Sequence, residues 1–288
     1  MKLCRFGNDR LGVVSGGKVY DVTSAQEQIR ASAPYAMHGD AVIAALPEWR
    51  GRLEDMAAKA PGMPLSEVKL LAPVARPSKV MAAPTNYRAH VEEMGKDANR
   101  PRGSGPRKSI DEAGIFLKAN SSLVGPSEGI GLRYPEKRND HEAEIVFVIG
   151  KKGSGISRER GLDYVAGYSL GLDMTLRGTH DRSFKKSLDG FSVIGPWLVT
   201  ADEIADPNAI PFSLKLNGEL RQQSSTAELI YDIGRLIEFA SSYYTLYPGD
   251  VFYTGTPEGV GPVKPGDRLR VESPAIGAFE IDVGVHQQ

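Results

Sequence analysis

The chain has 288 residues, and its 35 basic and 36 acidic side chains give a formal net charge of −1 at pH 7. This balance excludes a generally basic surface of the kind that binds nucleic acid or anionic membranes, so we expect neither as a partner. The single cysteine, Cys4, excludes a disulfide framework, and the sequence shows neither a signal-peptide core nor an apolar run near the ~20 residues of a membrane helix, so we expect a cytoplasmic protein.

Residues 1–75 predict a small N-terminal α+β domain. The stretches KLCRF and LGVVSGGKVYDVT predict short strands, separated by turn residues. AVIAALPEWRGRLEDMAAKA has helical apolar spacing, and its Pro47 predicts a helix that is interrupted or begins near that residue. The segment LLAPVARPSKV, with two prolines, predicts a linker into a second domain at residues 76–288.

The second domain is rich in predicted strands. KVMAAP, HEAEIVFVIG, YVAGYSLGLDM and DVFYTG are examples, and several show period-two alternation. IYDIGRLIEFASSYYTL is the clearest helix, because its apolar residues recur at three and four. The pattern predicts an α+β fold, mainly β, built as a mixed β-sandwich or roll rather than a doubly wound sheet.

Residues Gly95–Gly114 stand apart, since GKDANRPRGSGPRKSIDEAG replaces the apolar pattern with glycine, proline and charge. This composition fits a solvated insertion. It also fits a basic lid that orders over an anionic ligand. The composition of the segment does not decide between the two interpretations.

Three carboxylates stand at the edges of apolar strands. In HEAEIVFVIG, Glu142 and Glu144 point to the same face of a strand, where two like charges need a cation between them. Asp173 ends the apolar stretch YVAGYSLGLDM. Oxygen ligands alone favour a hard ion such as Mg²⁺, Mn²⁺ or Ca²⁺, whereas zinc or copper favours cysteine and histidine. The alternative is that these carboxylates lie on exposed strand faces and pair with arginines.

Other polar groups surround these strands in the sequence. Lys185 and Lys186 precede an apolar strand, and either lysine could stabilise a developing negative charge or simply be solvated. One helical turn would bring His90 and Glu93 together, so that the carboxylate orients a basic imidazole, although a surface pair has the same spacing. The turn TGTPEG could bind a carboxylate through its backbone N–H groups and the Thr256 hydroxyl, or it could only connect two elements.

Several blocks, taken together, resemble the fumarylacetoacetate hydrolase family over roughly residues 78–285. The blocks occur in the family's order: NYRAHVEE, IFLKANSSLVGP, DHEAEIVFVIGKKG, VAGYSLGLDMTLRG, KKSLDGFSVIGPWLVTADEI, LNGELRQ and DVFYTGTPEGVGPVKPGD. The resemblance implies a mixed β-sandwich roll with a small N-terminal α+β domain. It also implies a homodimeric enzyme that acts on a small anionic keto acid with Mg²⁺ or Mn²⁺ as cofactor.

The resemblance also implies roles for individual residues. The implied metal ligands are Glu142, Glu144 and Asp173. The implied catalytic residues are Lys186 and a water-activating dyad on a closing lid, His90 and Glu93. The implied substrate-binding residues are Arg177, Thr256, Lys118, Tyr87 and His180.

Two positions depart from the family pattern within the block that contains Arg177. Gly178 stands where many relatives have aspartate, and His180 stands where a glutamine is frequent. These departures leave the identity of the substrate open. The favoured function is hydrolytic cleavage of a carbon–carbon bond in a small 2,4-dioxo (acylpyruvate-like) acid through a metal-stabilised enolate. Alternatives are an isomerase, tautomerase or decarboxylase of a 2-oxo acid from aromatic-compound catabolism, and a noncatalytic metal-dependent carboxylate-binding protein.

Overall fold

The computed structural model describes residues 1–35, 37–95 and 109–287. Most of the predicted lid, residues 96–108, lies outside the described residues. No helix in the described part of the chain combines the length and the apolar character needed to cross a membrane.

The N-terminal segment contains short strands and two helices in its described residues. The strands are β1 (Lys2–Phe6), β2 (Arg10–Ser15), β3 (Lys18–Asp21), β4 (Gly62–Pro64) and β5 (Leu70–Leu71), and the helices are α1 (Thr23–Ser32) and α2 (Ala41–Lys59).

The rest of the described chain is dominated by strands. The strands are β6 (Val80–Ala82), β7 (Phe116–Lys118), β8 (Leu123–Val124), β9 (Ile130–Leu132), β10 (Asn139–His141), β11 (Ala143–Ile149), β12 (Val165–Asp173), β13 (Thr175–Leu176), β14 (Ser192–Thr200), β15 (Pro211–Leu216), β16 (Glu219–Ser225), β17 (Val251–Tyr253), β18 (Gly261–Val263), β19 (Arg268–Ser273) and β20 (Gly277–Val285). The helices are α3 (Arg88–Gly95), α4 (Ile110–Ala113), α5 (Arg158–Gly161), α6 (Arg182–Lys185) and α7 (Ile233–Tyr243).

A large mixed sheet forms the centre of the fold. Its main path runs β4-β3-β2-β1-β14-β12-β11-β17-β6-β7, with β5 beside β1 and β8 beside β14. Further sheets in the described chain follow the orders β16-β15-β19-β20-β9 and β13-β10-β18. The prediction of an α+β fold that is mainly β is confirmed.

Strand β11 shows why the central strands are apolar throughout. Every residue of AEIVFVI is buried, because both faces of the sheet are covered. Ile145 and Phe147 belong to one hydrophobic cluster, whereas Val146 and Val148 belong to a second cluster on the opposite face. The alternation predicted for this strand therefore separates two cores, and Glu144 lies on the same face as Val146.

The N-terminal strands extend the central sheet. Strand β1 pairs antiparallel with β14, with Leu3 opposite Leu198. The division into domains at about residue 75 stays a prediction, and the two segments share hydrogen bonds along this pair of strands.

Helix α2 differs from the sequence expectation, since it runs through Pro47 without interruption. The Asp40 carboxylate fixes its start by accepting hydrogen bonds from the N–H groups of Val42 and Ile43. The buried side chains of Leu46 and Leu53 hold the helix against the sheet on both sides of the proline. Tertiary packing therefore outweighs the cost of the missing hydrogen bond.

We predict that Phe147→Ala destabilises the fold by about 3–5 kcal/mol, the usual cost of removing a large aromatic side chain from a core. Phe147 is fully buried, and its ring stacks on that of Phe252 at a centroid distance of 4.9 Å. Denaturant unfolding measures the change. Phe184→Ala is the matched control, because that ring is 66% exposed, and it should change the free energy of unfolding by less than about 0.5 kcal/mol. Equal effects of the two substitutions would contradict this account of the core.

Candidate active site

Three carboxylates converge at one end of the central sheet. Glu142, Glu144 and Asp173 each offer an oxygen, and these atoms all lie within 4.8 Å of one another. All three residues are buried, with at most 6% of their surface exposed. They therefore do not lie on exposed strand faces, which was the alternative interpretation.

The strand pairing explains this convergence. Glu142 occupies the single position between β10 and β11, and its backbone carbonyl accepts a hydrogen bond of 2.9 Å from the N–H of Asp173. Asp173 is the last residue of β12, which pairs with β11 along its length. Glu144 lies two residues into this ladder, opposite Gly171. A hairpin-like alignment of two core strands thus brings together carboxylates that are about 30 residues apart in sequence.

Lysine side chains compensate part of this negative charge. Lys186 Nζ donates to Glu142 Oε2 and to Asp173 Oδ2, each at 2.6 Å. Lys118 Nζ donates to Asp173 Oδ1 and, at 2.9 Å, to the carbonyl oxygen of Phe191. The sequence predicted a cation between Glu142 and Glu144, whereas Lys186 bridges Glu142 and Asp173.

The electrostatic environment differs among these groups. Burial raises the pKa of Glu144 well above its ordinary value, and the neighbouring Asp173 carboxylate raises it further. Burial also acts on Glu142, but Lys186 and Arg177 outweigh it and hold that pKa below its ordinary value. Burial alone would lower the pKa of Lys186, whereas Asp173 and Glu142 keep it above its ordinary value. The lysine therefore stays charged between the two carboxylates it bridges.

Arg177 forms a second support for the carboxylates. Its Nη2 donates to Glu142 Oε1 at 3.0 Å, and its Nε donates to Asp140 Oδ2 at 2.6 Å. Asp140 is fully buried in β10 and also accepts a hydrogen bond of 2.8 Å from Arg138. Asp140, which no sequence pattern indicated, thus holds the guanidinium of Arg177 in place.

His90 and Glu93 meet on helix α3 as the spacing predicted. His90 Nδ1 lies 3.3 Å from Glu93 Oε2, and the imidazole is buried. The other carboxylate oxygen of Glu93 accepts a hydrogen bond of 2.9 Å from the N–H of Gly259. Glu93 is therefore fixed from both sides, and it can orient the histidine ring.

The glycine-rich turn binds carboxylates of the protein itself. The N–H of Gly255 donates to Glu144 Oε2 at 2.6 Å, in addition to the bond from Gly259 to Glu93. Both glycines have positive φ, and a Cβ on Gly259 would lie 1.9 Å from the carbonyl oxygen of Arg221. Glycine is thus required where this backbone approaches its neighbours.

Gln222, on β16, fastens this turn to the strands that hold the metal-ligand candidates. Its Oε1 accepts a hydrogen bond of 2.9 Å from the N–H of Ala143, and its Nε2 donates to Thr256 Oγ1 at 2.9 Å. The Thr256 hydroxyl in turn donates to the carbonyl oxygen of Ala143 at 2.8 Å. Gln222 lies in the quoted block LNGELRQ, but nothing in its spacing indicated this bridging role.

A cavity of about 110 Å³ opens beside these groups, several times the volume that one water molecule needs. Its described lining is Ala83, Pro84, Thr85, His90, Phe116, Glu142, Glu144, Asp173, Arg177, Arg182, Lys185, Lys186 and Thr256. The predicted dyad, carboxylates, lysine and arginine thus face one space. Arg182 is a cavity residue that the sequence analysis did not identify.

Three of the predicted substrate-binding residues are not in the described lining. Tyr87 is 1% exposed and packs edge-on against Phe212 in the core. Lys118 lies behind Asp173, and its ammonium is enclosed by protein. His180 is exposed and contacts the ring of Phe184. Their roles in substrate binding stay predictions.

The donor set fits a hard divalent ion. Oxygens bound at roughly 2.0–2.6 Å to one ion lie no more than about 4–5 Å apart, as the carboxylate oxygens of Glu142, Glu144 and Asp173 do. Each carboxylate has lone pairs beyond those used by Lys186, Lys118 and Gly255, so it can accept a metal as well.

Comparisons with known proteins agree with this arrangement. The sequence pattern described as "Fumarylacetoacetate (FAA) hydrolase C-terminal" matches residues 79–284. A maleylpyruvate hydrolase of Aquipseudomonas alcaligenes is 48% identical over 285 residues, which cover 98% of this chain and 99% of that protein. A mitochondrial oxaloacetate tautomerase of Rattus norvegicus is 39% identical over 236 residues, covering 78% of this chain and 72% of that protein.

A solved structure shares the complete fold. The maleylpyruvate hydrolase of Sphingobium sp. SYK-6, in complex with a manganese(II) ion and pyruvate, superimposes with a TM-score of 0.83 at 36% identity, and all of both chains is covered. The family pattern covers more than two thirds of the chain, and the similarity extends beyond it to both ends. The chain belongs to the fumarylacetoacetate hydrolase family.

Proposed function

We propose that the protein is a Mg²⁺- or Mn²⁺-dependent hydrolase that cleaves the carbon–carbon bond between C3 and C4 of an acylpyruvate, a small 2,4-dioxo acid. The observation that carries this proposal is that His90, oriented by Glu93, and the three carboxylates line the same cavity. A metal site next to an oriented base suits water chemistry on a keto acid. The relatives named maleylpyruvate hydrolase, one of them with manganese and pyruvate bound, support this reaction class.

Glu142, Glu144 and Asp173 would hold the ion. When bound, it supplies Lewis-acid polarisation of a carbonyl oxygen and positive charge that favours the departing enolate. Lys186 holds Glu142 and Asp173 in place and adds a second positive charge beside the site. Arg177, fixed by Asp140, is positioned to bind a carboxylate or carbonyl of the keto acid from the same wall.

His90 acts as the general base in this mechanism. If Nδ1–H is donated to Glu93, the basic lone pair lies on Nε2 and can take a proton from water. The oxygen of that water attacks C4, the C3–C4 bond breaks, and its electron pair leaves in the enolate of pyruvate. C3 then takes up a proton, which the imidazolium can supply. The products are one carboxylic acid and pyruvate, and together they contain the atoms of the substrate and of one water molecule.

We further propose that the enzyme works as a homodimer in the cytoplasm. Light scattering after size-exclusion chromatography would report the mass in solution. The mass of a monomer would contradict the proposed homodimer. The resemblance to the family carries this expectation.

Product analysis tests the proposed reaction directly. Purified protein with Mg²⁺ and acetylpyruvate should form acetate and pyruvate in equal amounts, detected by lactate dehydrogenase and chromatography. The protein would instead be a tautomerase if it interconverted the keto and enol forms of oxaloacetate without cleaving acylpyruvates. Release of CO₂ from oxaloacetate would indicate a decarboxylase, and inertness towards every substrate would indicate a binding protein.

We predict that Glu144→Gln weakens Mn²⁺ binding by at least about 10- to 100-fold, because it removes one ligand charge and keeps the side-chain shape. Glu144 is chosen because its described hydrogen bond, from Gly255, can also be made to a glutamine oxygen. Electron paramagnetic resonance of free Mn²⁺ gives the affinity independently of turnover. Glu258→Gln is the matched control, since Glu258 is exposed and should keep the wild-type affinity. Unchanged Mn²⁺ binding by Glu144→Gln would remove this carboxylate from the site.

We predict that His90→Ala slows hydrolysis by about 10²–10⁴-fold, the usual effect of a lost general base, while Mn²⁺ affinity stays within a few-fold of wild type. Steady-state kinetics and the same Mn²⁺ titration measure the two quantities. His38→Ala, at an exposed histidine on Tyr247, controls for the loss of an imidazole elsewhere. If hydrolysis survives in His90→Ala, the base is another group.

A further inference from the structure

Helix α6 places two cations on the wall of the cavity. Arg182 and Lys185 begin and end this short helix, and the three-residue spacing brings them to the same side. Both side chains are partly buried, and both belong to the described cavity lining. They lie immediately before Lys186, which reaches into the carboxylate cluster.

Neither cation has a carboxylate partner in the described chain. The guanidinium carbon of Arg182 lies 5.5 Å from the centre of the Phe116 ring. The Arg182 side chain makes no hydrogen bond with the described residues. Lys185 Nζ makes one long hydrogen bond, 3.4 Å, to the carbonyl oxygen of Gly178. By contrast, Arg177 and Lys186 each contact two carboxylates.

Burial without a partner is unfavourable for both groups. Desolvation lowers the pKa of Arg182, and it lowers the pKa of Lys185, which also lies near Arg177. The charges of nearby carboxylates, Glu142 among them, offset this only in part, so an anion that enters the cavity and pairs directly with these cations would stabilise them. The charges of the cavity wall also favour an anion. The described lining has four cations against three carboxylates, even before a divalent metal ion is added.

Arg182 and Lys186 both approach the ring of Phe116 in the cavity wall. Lys186 Nζ lies 5.6 Å from the centre of the same ring that Arg182 contacts at 5.5 Å. Arg182 forms no ion pair with Glu142 or Asp173, whereas Lys186 bridges them. An anion that pairs with Arg182 and Lys185 would therefore use cations that the metal-ligand candidates do not engage, and Phe116 in the same lining offers an apolar surface to the hydrocarbon part of a ligand.

We propose that Arg182 and Lys185 form a second anion subsite, which binds a carboxylate at the far end of the acyl group. The substrate class is then a dicarboxylic 2,4-dioxo acid rather than a simple acylpyruvate. This inference rests on the proposed function for the pyruvyl end, and it adds the determinant that recognises the other end.

A ratio of specificities tests the subsite. Wild type should prefer maleylpyruvate, a diacid, to acetylpyruvate, a monoacid, in kcat/KM. Arg182→Gln should lower that preference by about 10- to 100-fold, the effect of one lost charge-assisted hydrogen bond, and Lys185→Gln should lower it in the same direction. Arg160→Gln is the matched control, because Arg160 is exposed and pairs with Asp163 on the surface, so the preference should not change.

Binding of unreactive ligands separates failure of the subsite from failure of the reaction. 2-Oxoheptanedioate and 2-oxoheptanoate have the same chain length and lack the 4-oxo group, so neither can be cleaved as an acylpyruvate. Isothermal titration of the Mn²⁺-loaded protein should show tighter binding of the diacid in wild type, and Arg182→Gln should remove that difference.

The outcomes are distinct. Equal affinity of wild type for the two ligands, or equal loss for both ligands in Arg182→Gln, overturns the subsite even if acylpyruvates are hydrolysed. A diacid preference that depends on Arg182, in a protein that cleaves no acylpyruvate, supports the subsite and overturns the proposed reaction.

Discussion

The structure depends on the close approach of three buried carboxylates at the end of two core strands. Such a cluster is unfavourable in a low-dielectric interior unless cations compensate it. Lys186 and Lys118 provide part of this compensation, and Arg177 provides more through Glu142. Glu144 is the carboxylate of the cluster whose described hydrogen bond comes from an uncharged backbone group, Gly255. The site is therefore arranged around an additional positive charge near Glu144, which a divalent ion would supply.

The same turn that supports Glu144 also supports the candidate base. Gly255 binds Glu144, and Gly259, four residues later, binds Glu93 and so fixes the partner of His90. Gln222 ties this turn to the strand that begins with Ala143. The relative position of the carboxylate cluster and the imidazole thus depends on one hydrogen-bonded backbone segment rather than on two independent loops. This arrangement suits a reaction in which a misplacement of about 1 Å between water and substrate is costly.

Local sequence patterns predicted the parts of this site that follow from periodicity. Strand alternation placed Glu142 and Glu144 on one face, and the i, i+3 spacing joined His90 to Glu93. Spacing could not choose between Lys185 and Lys186, because that choice depends on backbone geometry. Lys186 follows α6 with φ −110° and ψ 0°, so its side chain leaves the helical direction and turns to the carboxylates.

Long-range contacts were outside the reach of these patterns. The hydrogen bond between Gln222 and Ala143 joins residues 79 positions apart in the sequence, and the one between Asp140 and Arg177 joins residues 37 positions apart. The burial of Tyr87, which is 1% exposed, was likewise not evident from its motif, because a motif fixes a position in the chain and not the direction of a side chain. Pro47 does not interrupt α2 as its low helix propensity predicts, because packing on both sides of it holds the helix together.

The two residues that depart from the family pattern, Gly178 and His180, lie just before helix α6. Gly178 and His180 are both exposed, and neither belongs to the described cavity lining. The chain between Arg177 and Lys186 instead turns back into the cavity wall at Arg182 and Lys185. Gly178 takes part in this turn, since its carbonyl oxygen accepts the hydrogen bond from Lys185. If Arg182 and Lys185 bind a substrate anion as proposed, Gly178 would contribute to that subsite indirectly, through its hydrogen bond to Lys185.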